Sequence, residues 1–489
     1  MNMRLTPADM EKIFNPKSIA LIGVSRSGWR FGGLSFLRKY IESGYEGRIY
    51  PINAKAEEIL GVKAWPDLAS LPETPDLVMI AVGAPNVPAL IAECAEKGVR
   101  HVHLLTAGFD ELGTPEGHDM TKQLISACEQ HGVLLIGPNC MGPYRPAARL
   151  TAWGAIPGIP GPLGIISQSG GMTQRLTEYA ASLGLGVEKA ISVGNGSVLD
   201  TLDFLEAFGN DPLITVIGIY LEGITDGDRL LELARDIGLQ KPVVILKGGE
   251  TDAGARTAAS HTGALAGSPA VWEAVFRQAN MIRVYDMDEW MDALMASAFI
   301  SAPSSDGVFI LSGGGGNSVI YGDSFTREGL AVPQMSTRTM QRLTEITPAA
   351  GSIAGNPLDL WQVFTDLEWL DSLMDMAEQE ESIGIIIADR LISRNAFHMP
   401  ETPGLTQKTV ELVKNRRGQK PVVFIVDSEG GDPWLAAEGA EMRAAFGRAG
   451  YAVFPSSSRA ARTLARLCRY YERRAQLINK HHGGQHLKM

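Results

Sequence analysis

The chain has 489 residues, of which 45% are hydrophobic and 20% charged, and its formal net charge is −11 at pH 7. This composition excludes a wholly disordered chain, and the length predicts roughly three domains. Four cysteines without a Cys-x-x-Cys pair exclude a small disulfide-rich fold, and the negative charge argues against a nucleic-acid partner. With no run of 18 apolar residues and no apolar N-terminal core, we expect a cytoplasmic protein without membrane span or signal peptide.

Short apolar runs alternate with helical patterns in the first part of the chain. They predict strands at 18–24, 47–52, 76–82, 101–105 and 134–137, with helices at 31–43, 88–97 and 117–131. Continuous apolar strands between helices are typical of a parallel sheet covered on both faces. We therefore predict one α/β domain over residues 1–150 and a Gly/Pro-rich linker at 153–162.

Two further α/β units follow. The second has predicted strands at 163–167, 189–193, 216–221 and 242–247 and helices at 172–182, 199–208, 228–237 and 269–279. A polar hinge at 301–306 separates it from a third unit, in which VFILSGGGG and QKPVVFIVDS echo GIISQSGG and QKPVVILKGG of the second. We infer two related open sheets. The polar tail from residue 476 is predicted to fray, an interpretation we favour over a metal site at its histidines.

The first strand is followed by a loop, Gly23-Val-Ser-Arg-Ser-Gly28, that precedes a predicted helix. Amide groups at a helix start attract phosphate, and Arg26 adds positive charge. Lys55, after the second strand, is placed to meet a second phosphate. The loop is neither G-x-G-x-x-G nor a P-loop, so it predicts a phosphate-bearing cofactor without identifying it. The alternative is an ordinary turn with a solvated lysine.

A second loop, Ser167–Gly171 (SQSGG), also joins a strand to a helix, and several amides there can converge on an anion. It nearly matches the G-x-S-x-G nucleophile elbow, but no Ser…Asp…His order surrounds it, which disfavours a hydrolase. Ser312–Asn317 (SGGGGN) repeats the pattern in the third unit. Two roles are open for that loop: it contacts a ligand or a partner, or it is a purely structural turn.

His261 lies among small polar residues in RTAASHTGALAG, which favours an exposed loop over a core. Imidazole is partly neutral at pH 7 and acts as a nucleophile or base; the alternative is a surface histidine. Glu222 ends the strand VIGIYLEG, where it can accept a hydrogen bond from an imidazole or be an ordinary strand-end residue. The matching strand of the third unit ends in Asp389 without an SHTG segment, so the chemistry belongs to the second unit. Cys140 is structural or a reactive thiol.

Taken together, these motifs resemble the alpha subunit of the NDP-forming acyl-CoA synthetases, within the succinyl-CoA synthetase superfamily. The resemblance covers the chain to about residue 470. It is carried by GVSR, the turn at 51–55, AGF, GPNCMG, ISQSGG, SVGN, YLEG, KPVVILKGG and SHTGALAG.

The resemblance implies an α/β fold with an N-terminal Rossmann-like CoA-binding domain (1–150) and two flavodoxin-like, succinyl-CoA-ligase-type parallel-sheet domains (160–302 and 306–475). His261 would be the phosphohistidine and Glu222 the carboxylate that orients it. Phosphate would be bound by Ser167, Gln168, Ser169, Gly170 and Gly171. Coenzyme A would be bound by Gly23, Val24, Ser25, Arg26, Asn53, Lys55 and Val82. No residue is assigned to a metal.

The implied reaction is acyl-CoA + phosphate + NDP ⇌ carboxylate + CoA + NTP, through acyl phosphate and phosphohistidine. No ATP-grasp domain is visible, so the resemblance implies a separate ATP-grasp beta subunit that holds ATP or GTP with Mg²⁺. The substrate is a small carboxylic acid whose acyl group stays open. Two alternatives are a non-catalytic CoA-binding sensor or scaffold and an NAD(P)-dependent oxidoreductase; the absent G-x-G-x-x-G gives the latter no support beyond fold.

Overall fold

The computed structural model describes residues 5–25, 32–153, 158–262, 268–348, 352–364, 366–390, 392, 404–416, 420–428 and 432–485, with the backbone alone for 258–262, 363–364 and 481–485. Two compact units are present. The first comprises Met1–Ala181 with Gly186–Met287, and the second comprises Ser182–Leu185 with Asp288–Met489. Three sheets made mostly of parallel strands confirm the predicted α/β class.

The N-terminal part of the first unit contains helices α1 (Pro7–Phe14), α2 (Gly33–Glu42), α3 (Val87–Glu96) and α4 (Pro115–His131) and strands β1 (Ser18–Ile22), β2 (Arg48–Ile52), β3 (Glu58–Ile59), β4 (Val62–Lys63), β5 (Leu77–Ile80), β6 (His101–Leu104) and β7 (Leu134–Ile136). Strands β3 and β4 form a small separate sheet, and the others form a parallel sheet in the order β2-β1-β5-β6-β7. The chain adds β2 on one side of β1 and β5 on the other. The switch point, where open α/β sheets bind ligands, therefore lies between β1 and β5.

The second sheet completes the first unit with strands β8 (Gly142–Tyr144), β9 (Leu163–Ser167), β10 (Val187–Ser192), β11 (Val216–Leu221), β12 (Val243–Lys247) and β13 (Ile282–Val284) and helices α5 (Gly170–Ser182), α6 (Thr201–Gly209), α7 (Gly227–Gly238), α8 (Asp252–Thr262) and α9 (Pro269–Gln278). Its order is β13-β12-β11-β9-β10-β8, and only β8 is antiparallel to its neighbour. The switch point of this sheet lies between β9 and β11.

The second unit has one parallel sheet in the order β15-β14-β16-β17-β18. Its strands are β14 (Val308–Ser312), β15 (Leu358–Asp359), β16 (Ile385–Asp389), β17 (Val422–Ile425) and β18 (Val453–Phe454). Its helices are α10 (Met287–Phe299), α11 (Gly315–Arg327), α12 (Thr337–Ile346), α13 (Leu367–Glu378), α14 (Leu405–Asn415), α15 (Pro433–Arg448) and α16 (Ser457–Gln485).

One hydrophobic core joins the two sheets of the first unit. Phe14 of α1 meets Phe204 of α6 edge to face, with ring centroids 6.4 Å apart. Ile136 of β7 and Ile166 of β9 lie in the same buried cluster. Burial of apolar side chains from both sheets in one cluster holds them together. The predicted domain boundaries at 150, 160–302 and 306–475 stay predictions.

One sequence prediction differs from the structure. The segment before and including His261 is the helix α8 rather than a loop; its alanine-rich sequence has high helix propensity, which outweighs the small polar character of its flanks. The last helix extends to Gln485 and so includes the first ten residues of the predicted polar tail, 476–485; the fraying of that tail stays a prediction. Residues 486–489 lie outside the described part. Within the described ranges, no helix has both the length and the apolar character needed to cross a bilayer.

Candidate functional site

Two loops flank the switch point of the first sheet. Gly23 follows β1 with φ +89°, and a Cβ atom there would lie 2.3 Å from the carbonyl oxygen of Ala81. Only glycine satisfies both the backbone angle and this close approach. Val82 follows β5 on the other side of the crevice, and its carbonyl oxygen accepts a 2.6 Å hydrogen bond from Thr106 Oγ1. The predicted coenzyme A residues Gly23 and Val82 therefore border one crevice.

Asn53, the residue after β2, hydrogen-bonds to two segments beside this crevice. Its Nδ2 donates to the carbonyl oxygen of Val24 at 2.7 Å, and its Oδ1 accepts from the backbone N–H of Lys55 at 2.9 Å. The side chain thus ties the loop after β1 to the turn after β2. Ser25 and Lys55 are exposed beside it, and the predicted residue Arg26 lies outside the described residues.

The loop after β9 leads into α5. Ser167 is fully buried, and its Oγ donates to the carbonyl oxygen of Ser169 at 2.8 Å, which shapes the turn. Helix α5 begins at Gly170, so the amides of Gly170 and Gly171 belong to a first turn that has no intrahelical acceptors. A Cβ on Gly170 would lie 2.6 Å from Met141 Cγ, whereas the space beside Gly171 is open. An anion can therefore approach at Gly171.

The side chain of Gln168 makes its contacts outside its own loop. Its Oε1 accepts from the backbone N–H groups of Glu222 and Gly223 at 2.6 and 3.2 Å, and its Nε2 donates to the Gly223 carbonyl oxygen at 2.8 Å. The side chain therefore crosses the switch point to the end of β11. The structure brings the predicted phosphate loop and Glu222 together, but by a contact that the sequence pattern does not indicate.

Glu222 is 5% exposed, and its Oε1 accepts a 3.1 Å hydrogen bond from the Tyr220 hydroxyl. The ammonium group of Lys247 donates to the carbonyl oxygens of Glu222, at 2.7 Å, and of Gly248. Burial raises the pKa of Tyr220 and lowers the pKa of Lys247. A Cβ on Gly248 would lie 2.8 Å from the Tyr220 hydroxyl, so the turn after β12 closes directly over this cluster.

His261 lies in the last turn of α8, which follows β12 and lies beside the short helical turn Asp110–Leu112. Its side chain lies outside the described part of the structure, so its predicted role as the phosphohistidine stays a prediction. Strands β11 and β12 are parallel neighbours in the sheet. The segment from β12 to α8 therefore begins at the same sheet edge as Glu222, which follows β11.

Glu111, which is not among the predicted site residues, links the two sheets of the first unit. Its Oε1 accepts from the N–H of Phe109 at 3.1 Å, and its Oε2 accepts from Asn195 Nδ2 at 2.5 Å. Burial favours a higher pKa, but hydrogen bonds from the Gly108 amide and Asn195 hold the pKa of Glu111 below its usual range. The sequence signal that could have indicated this contact is that the AGF and SVGN motifs each lie at or just after the end of a strand.

Cys140 is buried, its Sγ lies 3.7 Å from the carbonyl oxygen of Leu104, and burial raises the pKa of the thiol. Thiolates are the reactive form, so this environment favours the structural interpretation. Within the ranges that the structure describes, no group of three His, Cys, Asp or Glu side chains is arranged to hold a metal ion.

In the second unit, the loop at 312–317 joins β14 to α11. The Ser312 hydroxyl donates to Asp389 Oδ2 at 3.3 Å and the Tyr321 hydroxyl to Oδ1 at 3.0 Å. Burial raises the pKa of Asp389 to about 6. Ser312 thus contacts a carboxylate at the end of the adjacent strand β16, which gives the loop a structural role within its own sheet.

Comparisons with known proteins match both parts of the first unit. Residues 17–146 match the family described as "CoA binding domain", and residues 160–297 match "Succinyl-CoA ligase like flavodoxin domain". The chain is similar to "Acetate--CoA ligase [ADP-forming] I subunit alpha" of Pyrococcus furiosus, with 37% identity over 72% of this chain and 76% of that relative.

A longer relative and a solved structure agree with this match. "Acetate--CoA ligase [ADP-forming] I" of Archaeoglobus fulgidus is 33% identical over 77% of this chain, and the chain spans 54% of its length. The structure of "dinucleotide forming Acetyl-coenzyme A synthetase 1" of Ca. Korarchaeum cryptofilum, solved with phosphate and ADP, matches with a TM-score of 0.83 and 28% identity, over 96% of this chain and 98% of that one.

Proposed function

Because the chain belongs to the family of ADP-forming acetate–CoA ligase alpha subunits, we propose that it is the alpha subunit of an NDP-forming acyl-CoA ligase. It interconverts a carboxylate, coenzyme A and NTP with acyl-CoA, NDP and phosphate. One observation carries the proposal: Ser167–Gly171 and Glu222 face each other across a switch point in the same compact unit as the Gly23 crevice.

The reaction is divided into three displacements. His261 attacks the terminal phosphorus of NTP, and the bond to the NDP oxygen breaks. An oxygen of the substrate carboxylate then attacks phosphohistidine, which releases the imidazole and forms an acyl phosphate. The coenzyme A thiol, after losing its proton, attacks the acyl carbon, and phosphate leaves. A carboxylate is a poor acyl donor, and covalent catalysis replaces one difficult step with easier ones.

The residues of the first unit have distinct tasks in this scheme. Glu222 accepts a hydrogen bond from the His261 ring, which selects the tautomer and stabilises the charged ring. The amides of Gly170 and Gly171 bind the phosphoryl group at the start of α5. A helix terminus contributes about 0.3–1 kcal/mol when exposed, so these amides position the group and do not supply the rate by themselves. Asn53 and Gly23 shape the crevice for coenzyme A.

We further propose that an ATP-grasp beta subunit supplies the nucleotide site and holds Mg²⁺ with the nucleotide. In support, the similar chain of Pyrococcus furiosus is itself named as one subunit. The relative of Archaeoglobus fulgidus, whose name carries no subunit designation, is longer, and this chain spans 54% of it.

The test measures acyl-CoA formation by the chain together with a candidate ATP-grasp partner that itself binds NTP. The acids supplied as substrates are acetate and longer aliphatic, dicarboxylic and aryl acids. We expect acyl-CoA formation that requires both CoA and NTP for at least one acid. Glu222→Gln should slow it at least tenfold, whereas Glu232→Gln, at an exposed position on α7, should leave it unchanged. Binding of CoA without turnover of any acid would instead favour the CoA-binding sensor or scaffold.

A further inference from the structure

Gln168 is the second residue of the phosphate loop Ser167–Gly171, yet its side chain is hydrogen-bonded to the end of the neighbouring strand β11. Its backbone N–H donates to the carbonyl oxygen of Tyr220 at 3.3 Å. Its side-chain oxygen accepts from the amides of Glu222 and Gly223, and its side-chain amide donates back to Gly223. An oxygen that already accepts two hydrogen bonds and an amide that points at a carbonyl group are poorly suited to bind phosphate.

The backbone that Gln168 holds lies just beyond β11. Glu222 and Gly223 are both buried, and buried N–H groups beyond the end of a strand need a partner other than the sheet ladder. Gln168 provides that partner on one side. On the other side, the buried Lys247 ammonium donates to the carbonyl oxygen of Glu222 at 2.7 Å. The peptide groups on both sides of the Glu222 α-carbon are therefore fixed.

We propose that Gln168 is a positioning residue that couples the phosphate loop Ser167–Gly171 to Glu222, and that it does not bind phosphate. The inference rests on the proposed function, in which Glu222 orients the reacting imidazole. The hydrogen bonds of Gln168 hold the phosphate loop and the end of β11 in one relative position, so that Glu222 and the amides at the start of α5 keep one spacing.

The experiment compares phosphohistidine formation in the complex with the ATP-grasp partner, using labelled NTP in rapid-quench measurements normalised to bound CoA. Gln168→Leu should lower the rate constant by about tenfold to a hundredfold, since a displacement of about 1 Å has effects of this size. The KM values for CoA and phosphate should stay within about twofold in steady-state turnover. The matched control is Gln174→Leu on α5, because Gln174 contacts Glu178 on the same helix and should react as wild type.

A double-variant cycle with Glu222→Gln separates positioning from independent action. If Gln168 acts through Glu222, the double variant reacts no more slowly than Glu222→Gln alone. The inference would be overturned if the rate losses of the two single variants multiplied in the double variant. It would also be overturned if Gln168→Leu raised the KM for phosphate and left the rate constant unchanged. Gln168→Glu retains an acceptor for both amides and should be intermediate in rate, and it replaces Gln168→Leu in the cycle if the latter binds no CoA.

The two proposals fail in different ways. If wild type takes no label from NTP, both the proposed function and this inference are wrong. If wild type and Gln168→Leu are labelled at equal rates, the inference alone is wrong.

Discussion

The α-carbon of Gly23 packs against the carbonyl group of Ala81 so closely that a Cβ atom would lie 2.3 Å from its oxygen. Gly23 follows β1 and Ala81 follows β5, the two strands that border the switch point of the first sheet. The width of the predicted coenzyme A crevice is therefore set where these two loops touch, and a side chain at position 23 must push them apart.

Gly23→Ala should weaken CoA binding at least tenfold and lower the free energy of unfolding. The matched control is Gly61→Ala, since Gly61 has a similar φ of +80° but open space around its Cβ position. In the control, the free energy of unfolding should fall only by the cost of placing an alanine in a left-handed backbone conformation, about 1–2 kcal/mol, and the CoA affinity should be unchanged. Calorimetric CoA titration and urea denaturation measure both effects. Equal CoA affinities of the two variants would contradict the close-approach explanation.

Asn53→Ala should also weaken CoA binding, by about tenfold, or roughly 1.4 kcal/mol. The substitution removes the hydrogen bond to the Val24 carbonyl and the acceptor for the Lys55 amide, so the loop and the turn are no longer tied together. Asn15→Ala, which removes an exposed side-chain contact to Glu11, is the control. If CoA binds Asn53→Ala as tightly as wild type, Asn53 does not shape the crevice.

For the two strands that flank the second switch point, the sequence predicts the same first and last residues as the structure has. Leu163–Ser167 and Val216–Leu221 are apolar, β-branched runs bounded by loops, and such local patterns are sufficient to predict buried strands. Strand β8 is missed because Gly142–Tyr144 is a short Gly-Pro-Tyr segment, whose strand conformation depends on antiparallel pairing with β10. That pairing is a tertiary contact with no local signal.

The predicted residues Gly23, Val82 and Glu222 lie near the strand ends at which the sequence places them, but their contacts are not predictable. Gln168 and Glu222 are 54 residues apart, and nothing in SQSGG indicates that the glutamine turns toward β11. The helix at His261 is missed because small residues favour both loops and helices, and alanine propensity decides between them here.

Stability should fall on acidification because of His103. This histidine is fully buried, its Nε2 contacts the Cys140 carbonyl oxygen at 3.0 Å, and its Nδ1 has no hydrogen-bond partner among the described residues. Burial lowers the pKa of His103 to about 4. The unfolded chain, with a pKa near 6.5, therefore binds the proton more readily, so stability is lost as pH falls from about 6.5 toward 4.

Between pH 6.5 and pH 5 this histidine should reduce the free energy of unfolding by about 2 kcal/mol. His103→Leu should remove that part of the pH dependence, whereas His131→Leu at the exposed end of α4 should not. Urea denaturation at a series of pH values measures the difference. Parallel pH profiles for wild type and His103→Leu would contradict the burial of a neutral imidazole.

Asp389 should have the opposite pH dependence in the second unit. Burial raises its pKa to about 6, so the folded protein holds the proton more tightly than the unfolded chain, and stability is lost as pH rises from about 3.8 through 6. This loss amounts to roughly 3 kcal/mol of the free energy of unfolding, and Asp389→Asn should reduce it. Hydrogen exchange of peptides from β14 and β16, compared at equal pH, measures it. Faster exchange in Asp389→Asn than in wild type at pH 8 would show that the ionised carboxylate stabilises this sheet.

The most direct test of the proposed chemistry is the site of phosphorylation. The chain, in complex with an ATP-grasp partner, is incubated with labelled NTP and Mg²⁺, and wild type is compared with His261→Ala. We predict an acid-labile, base-stable label on wild type, located at His261 by mass spectrometry, and no label on the variant. Equal labelling of both proteins would place the reacting group elsewhere and contradict the phosphohistidine mechanism.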